Sequence, residues 1–97
     1  MAIKLRPSFG NVFRDLGFSA EESEHLRLRS ELMIQLDRVI AKRGLTQAAA
    51  AKLFGVTQPR ISDLVRGKIG LFSIDTLVDM LAHAGIRVEL VLKRRVA

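Results

Sequence analysis

Cysteine is absent from the 97 residues, which excludes disulfide scaffolds, thiolate zinc sites and cysteine nucleophiles together. Imidazole is scarce: only His25 and His83 are present, and neither has a companion His, Asp or Glu at metalloenzyme spacing, so both read as surface or half-buried residues. No apolar run approaches the roughly 18 residues needed to cross a bilayer, and the start MAIKLRPSFG lacks the apolar stretch of a secretory signal. A cytoplasmic protein with no membrane partner is expected. There is no paired-carboxylate cleft, no phosphate-cradling glycine loop and no nucleophile beside a plausible base, so an enzyme is the poorest reading, and no cofactor or metal need be invoked. Acidic residues are in deficit, with 10 Asp and Glu against 16 Lys and Arg, giving a net charge of +6. That excess can be an ordinary solvated face, but it also suits a polyanionic partner, with nucleic acid first. What remains is a length suited to one domain and a 48% apolar content typical of a folded chain.

The chain divides into three parts. Residues 1–18 carry weak periodicity, one proline and Phe9, Phe13 and Phe18, and read as an N-terminal arm. Residues 19–85 read as a helical domain. Ser19 followed by Glu22 is a capping-box pattern, and from Ala20 to Arg43 there is neither Gly nor Pro, while Leu28, Leu32, Leu36, Val39 and Ile40 recur at helical spacing. One long helix, or two abutting ones, should end at Gly44. Thr46 caps a short, alanine-rich helix to about Phe54, closed by Gly55. Thr57 can cap a third helix from Gln58 to Arg66, where Pro59 is tolerated because first-turn amides lack intrahelical acceptors. Ser73 caps a fourth, with Ile74, Leu77, Val78 and Leu81 on its apolar face. Met33 and Met80 are core fillers, and Phe54 and Phe72 are expected to pack under the third helix.

Residues 86–97 form the third part. Ile86, Val88, Leu90 and Leu92 alternate with Arg87, Glu89 and Lys93, a period of two that predicts one strand. A lone strand needs a partner, and with no other convincing strand in the chain the inference is pairing with the same strand of a second copy, about a two-fold axis. The run Lys93, Arg94 and Arg95 reads as a solubilising or phosphate-attracting tail.

Two short helices separated by Gly55, Val56 and Thr57 suggest a helix-turn-helix whose second helix offers its N-terminal residues to the DNA major groove. Val56, Ile61 and Leu64 then face inward, leaving Gln58, Pro59, Arg60, Ser62, Asp63 and Arg66 as candidates for the exposed side. The stretches Gly44-Leu45-Thr46-Gln47, Gly55-Val56-Thr57-Gln58 and Arg66-Gly67-Lys68, with Ala51 and Ile61-Ser62 in register between them, resemble the phage-repressor-like helix-turn-helix family over roughly residues 30–85. The flanks NVFRDLGFS and KIGLFSIDTLVDMLAHAGIRVEL look like the HigA-type antitoxin subgroup. The resemblance implies a mainly α, four- to five-helix lambda-repressor-like domain with one C-terminal strand. It implies double-stranded DNA, read as a pseudo-palindromic operator by a homodimer, as the first partner, and a RelE/HigB-like ribonuclease toxin as a second.

By that resemblance Thr46 and Gln47 lie at a phosphate-binding helix start, and Gln58 takes the place of an adenine-reading amide. Arg60 suits a guanine or a phosphate, and Thr57, Ser62 and Asp63 can approach base edges or sugars, with Asp63 accepting from cytosine or orienting Arg60. Arg66 and Lys68 lie along the DNA backbone. The chain departs from the family pattern at Pro59, which can only pack on a thymine methyl, and at Val65, where an acidic residue is usual. Phe9, Phe13, Arg14 and Phe18 either pack on the first helix or enter a groove of the toxin. Three functional readings follow: an autoregulating antitoxin, a stand-alone regulator with no toxin, and a protein-interaction inhibitor whose helix-turn-helix is vestigial.

Overall fold

The computed structural model describes residues 2–5, as backbone, and residues 12–94. In chain order the elements are strand β1 (Ala2–Leu5), helix α1 (Val12–Asp15), helix α2 (Ala20–Arg43), helix α3 (Gln47–Phe54), helix α4 (Gln58–Val65), a 3-10 turn at Ile69–Leu71, helix α5 (Ile74–His83) and strand β2 (Arg87–Leu90).

The long second helix is one uninterrupted rod. It begins where the Ser19 hydroxyl accepts the Glu22 amide at 3.1 Å, and it ends at Gly44, whose φ of 60° is the left-handed conformation that glycine adopts without a side-chain penalty. Glu21 and Glu22 in its first turn and Lys42 and Arg43 in its last complement the helix dipole. Its apolar stripe, Leu32, Met33, Leu36 and Val39, meets Ala50, Ala51 and Phe54 of α3, Ile61 and Leu64 of α4, Phe72, and Leu77, Met80 and Leu81 of α5 in a single buried cluster. Each fully buried Leu or Phe contributes about 1.5–3 kcal/mol from the area it removes from water. Arg29 adds a polar tie: its guanidinium donates to the carbonyl of Ile69 at 3.4 Å, fastening α2 to the 3-10 turn.

The chain ends correct the sequence reading in two ways. Residues 1–18 are not all arm, because Ala2–Leu5 is a strand and Val12–Asp15 a turn of helix; Phe9 lies outside the described residues. The C-terminal strand also has a partner within its own chain, since β1 pairs with β2 in parallel, Ala2 opposite Arg87 and Leu5 opposite Leu90. The four-residue Ala-Ile-Lys-Leu run is too short to announce itself by periodicity. A parallel pair also needs a long crossover in place of a tight hairpin turn, and here the whole helical body is that crossover. Ile86, grouped in the sequence with the pairing strand, lies just before β2 and is only 2% exposed, so it belongs to the helical core. Val88 packs against that core, whereas Leu90 and Leu92 are 69% and 92% exposed.

Candidate nucleic-acid interface

The turn between α3 and α4 is set by Gly55. Its φ of 67° is left-handed, and a Cβ built on it would stand 2.7 Å from the His83 ring, so both backbone conformation and space require glycine. His83 reaches the turn from the end of α5, and its Nδ1 lies 3.0 Å from the carbonyl oxygen of Leu53. The Val56 amide donates to the Ala51 carbonyl at 3.0 Å and completes the helix stop. Ala51, 7% exposed, has the small side chain that such close packing of α3 needs.

Helix α3 starts at Thr46, whose hydroxyl accepts the Ala49 amide at 3.1 Å, with Gln47 and Ala48 exposed beside it. Helix α4 starts differently. Thr57 holds the extended backbone of an N-cap, φ −80° and ψ 158°, but its hydroxyl makes no cap hydrogen bond. Its carbonyl accepts the amides of Arg60 and Ile61, at 3.1 and 3.2 Å, so the backbone alone begins the helix and the exposed hydroxyl remains uncommitted. Ile61 and Leu64 are fully buried, as the spacing requires.

The outward side of α4 carries Gln58 and Pro59, both exposed, then Arg60, Ser62 and Asp63, all half-buried, with exposed Arg66 following the helix and Lys68 beyond it. Two of these side chains have partners that the sequence did not disclose. Arg60 lies over the ring of Phe72, its Cζ 4.5 Å from the centroid. Asp63 meets the Lys68 ammonium at 3.5 Å, so it orients Lys68 and not Arg60. Asp63 and Lys68 are five residues apart, beyond the spacing of facing pairs on one helix, and the turn at Gly67, φ 71°, brings them together.

Other expected site residues lie elsewhere. Phe13 and Phe18 stack edge to face with centroids 6.4 Å apart, next to exposed Arg14. Phe13 also lines a small cavity of about 300 Å³ with Met33, Ile34, Leu64 and Asp37. One carboxylate oxygen of Asp37 is buried without a partner there, and burial raises the pKa of this group above the usual carboxylate value. Among the described residues no group of His, Asp and Glu is arranged to hold a metal ion, and no helix is long and apolar enough to cross a membrane.

Comparison with known proteins agrees with this geometry. A helix-turn-helix domain family model matches residues 12–93. A solved structure described as an XRE family transcriptional regulator shares 32% identity and superposes with a TM-score of 0.69, covering 76% of this chain and 83% of its own. No curated protein is significantly similar to the chain. With a matching family model over most of its length, a relative of this identity and a surface-facing polar α4, the chain belongs to the XRE-type helix-turn-helix family of DNA-binding transcriptional regulators.

Proposed function

We propose that the protein is a sequence-specific repressor that binds a pseudo-palindromic operator as a homodimer. The observation that carries this reading is the two-sidedness of α4: Ile61 and Leu64 are buried to 0% exposure while Gln58, Pro59 and the uncommitted Thr57 hydroxyl face outward at its N-terminal end. An α-helix presented in this way fits the major groove. Gln58 is assigned to adenine and Pro59 to a thymine methyl. Thr46 and Gln47, at the N-terminus of α3, are assigned to a phosphate, and Ser62 to a base edge or sugar. Arg66 and the Asp63-held Lys68 follow the backbone and supply affinity without sequence choice.

One such module buries a modest area, and strong binding needs two recognition helices about 34 Å apart on one face of the duplex. The edge of β2 that does not face β1 is unpaired among the described residues, and exposed Leu90 and Leu92 adjoin it, which supports a symmetric pairing of two copies along this edge. The test is a titration of the protein against duplexes enriched from a randomised library, followed by fluorescence anisotropy. Specific binding, a steep loss of affinity with added salt and a stoichiometry of two chains per site are expected. Absence of any duplex preference overturns the reading.

A second role, neutralising a RelE/HigB-like ribonuclease toxin, is favoured by apolar side chains displayed around α1, where Leu16 is 71% and Phe18 42% exposed. Phe13, Arg14 and Phe18 form the proposed contact. The relative with a solved structure is described only as a transcriptional regulator, so the stand-alone regulator explains the comparisons with fewer assumptions. A small basic ribonuclease encoded beside this chain, released from the complex by Leu16→Asp and Phe18→Asp, is the outcome that selects the antitoxin; no such neighbour selects the stand-alone regulator.

A further inference from the structure

The side chains assigned to DNA differ in how freely they move before any DNA arrives. Arg66 is exposed and makes no side-chain hydrogen bond, ion pair or ring contact among the described residues, whereas Arg60 is half-buried with its guanidinium carbon 4.5 Å from the centre of the Phe72 ring. Both ends of that contact are fixed. Phe72 is 1% exposed, and its amide donates to the Ile69 carbonyl at 3.2 Å as it leaves the 3-10 turn. The Arg60 amide is held by the Thr57 carbonyl in the first turn of α4. The guanidinium has no ion pair with any described residue, so stacking is the interaction that places it, and its N–H donors remain available.

We propose that Phe72 is a positioning residue for sequence readout: by holding the Arg60 guanidinium against α4, it commits that fork to the O6 and N7 acceptors of a guanine and not to a phosphate. This deepens the DNA-binding reading above and rests on it. A phosphate offers charge over a wide range of positions and is met well by a mobile cation, as Arg66 provides. The paired acceptors on a guanine edge lie at one place in the groove, and a fork held there in advance loses less conformational freedom on contact and tolerates a substituted base less well. Phe72 itself is covered and touches no base.

The test uses the full chain and a library of duplexes with randomised positions. The wild type is expected to enrich a G·C pair at one symmetric position of each half-site and to bind about tenfold more weakly when that pair becomes A·T. Arg60→Lys, which keeps the charge, and Phe72→Leu, which keeps an apolar core, are each expected to reduce this discrimination to about twofold. Affinity for an unrelated duplex should stay nearly constant, because the phosphate contacts remain. In the Arg60→Lys background, Phe72→Leu should change discrimination no further. An upfield ring-current shift of the Arg60 side-chain protons in the free wild type, read by NMR, tests the contact without any variant and decides the matter should Phe72→Leu lose helicity. Equal weakening on every duplex in Phe72→Leu, discrimination untouched by Arg60→Lys, or no ring-current shift overturns the inference while DNA binding stands. A wild type that binds no duplex at all overturns the DNA reading itself, and the inference with it.

Discussion

The turn that joins α3 to α4 and the small sheet that joins the two chain ends follow opposite designs. At the turn the apolar side chains are mostly used inward: Ala51, Phe54, Ile61 and Leu64 are buried, and the outer surface carries amide, hydroxyl and guanidinium groups with Pro59 and Val65 as its exposed apolar members. At the sheet the order is reversed, for Leu90 and Leu92 point largely into solvent and Val91 is partly exposed, and Leu16 and Phe18 are likewise exposed ahead of α2. A polar surface over a rigid core presents hydrogen-bonding groups in fixed positions, which suits base edges. An apolar surface over a two-stranded sheet supplies area without directional demands, which suits another protein chain.

The sharpest way to break the contrast is to remove the rigidity of the turn. Gly55→Ala forces a Cβ into a left-handed position and onto the His83 ring, and an expected loss of about 2–4 kcal/mol should appear as a large fall in Tm. Adding His83→Ala should restore part of that loss, because it removes the collision but not the backbone strain, and a double-mutant cycle by thermal denaturation measures the split. Next in size is the loss of readout. Gln58→Ala should weaken operator binding by about 1–3 kcal/mol in anisotropy titrations, while the melting curve of this exposed position is unchanged.

A comparison of the two threonine caps follows. Thr46→Ala should cost about 1 kcal/mol of stability because a real hydroxyl-to-amide bond is lost. Thr57→Ala should cost far less stability, since its hydroxyl caps nothing, and its effect should fall on DNA affinity. At the other end, Leu90→Lys with Leu92→Lys should leave the Tm nearly unchanged, as both side chains are exposed, yet shift sedimentation from dimer toward monomer if the β2 edge is the contact. Deleting residues 86–97 is a poorer test, since it removes Ile86 from the core as well.

The smallest expected effect is pH-dependent. Burial raises the pKa of Asp37 above its unfolded value, so the folded state holds this proton more tightly. Its contribution favours folding below the unfolded carboxylate pKa and is lost as pH rises through the folded one. Asp37→Asn should therefore raise the Tm slightly at neutral pH and have less effect in acid. Equal effects at both pH values would show that the carboxylate charge is not the cause.

The helices were legible because their signals are local. Ser19, Thr46 and Ser73 accept the amides three residues ahead, and Gly44, Gly55 and Gly67 have positive φ at helix ends, all within a few residues of the chain. Thr57 shows the limit of such a signal, since residue type and backbone place it as a cap while the hydrogen bond itself is absent. Asp63 shows another: helical spacing points it to Arg60, but the turn brings it to Lys68.

What the sequence determined by itself was the order of helices α2 to α5, the inward side of α4 and the identity of the groups left outside, because periodicity and capping are consequences of short-range backbone geometry. The tertiary structure decided the contacts between distant residues: β1 against β2, the His83 ring against Gly55, Arg29 on the Ile69 carbonyl and the Phe72 ring beneath Arg60. Such contacts depend on how helices pack across a shared core, where close approach is set by volume and direction in three dimensions, and no spacing along the chain encodes them.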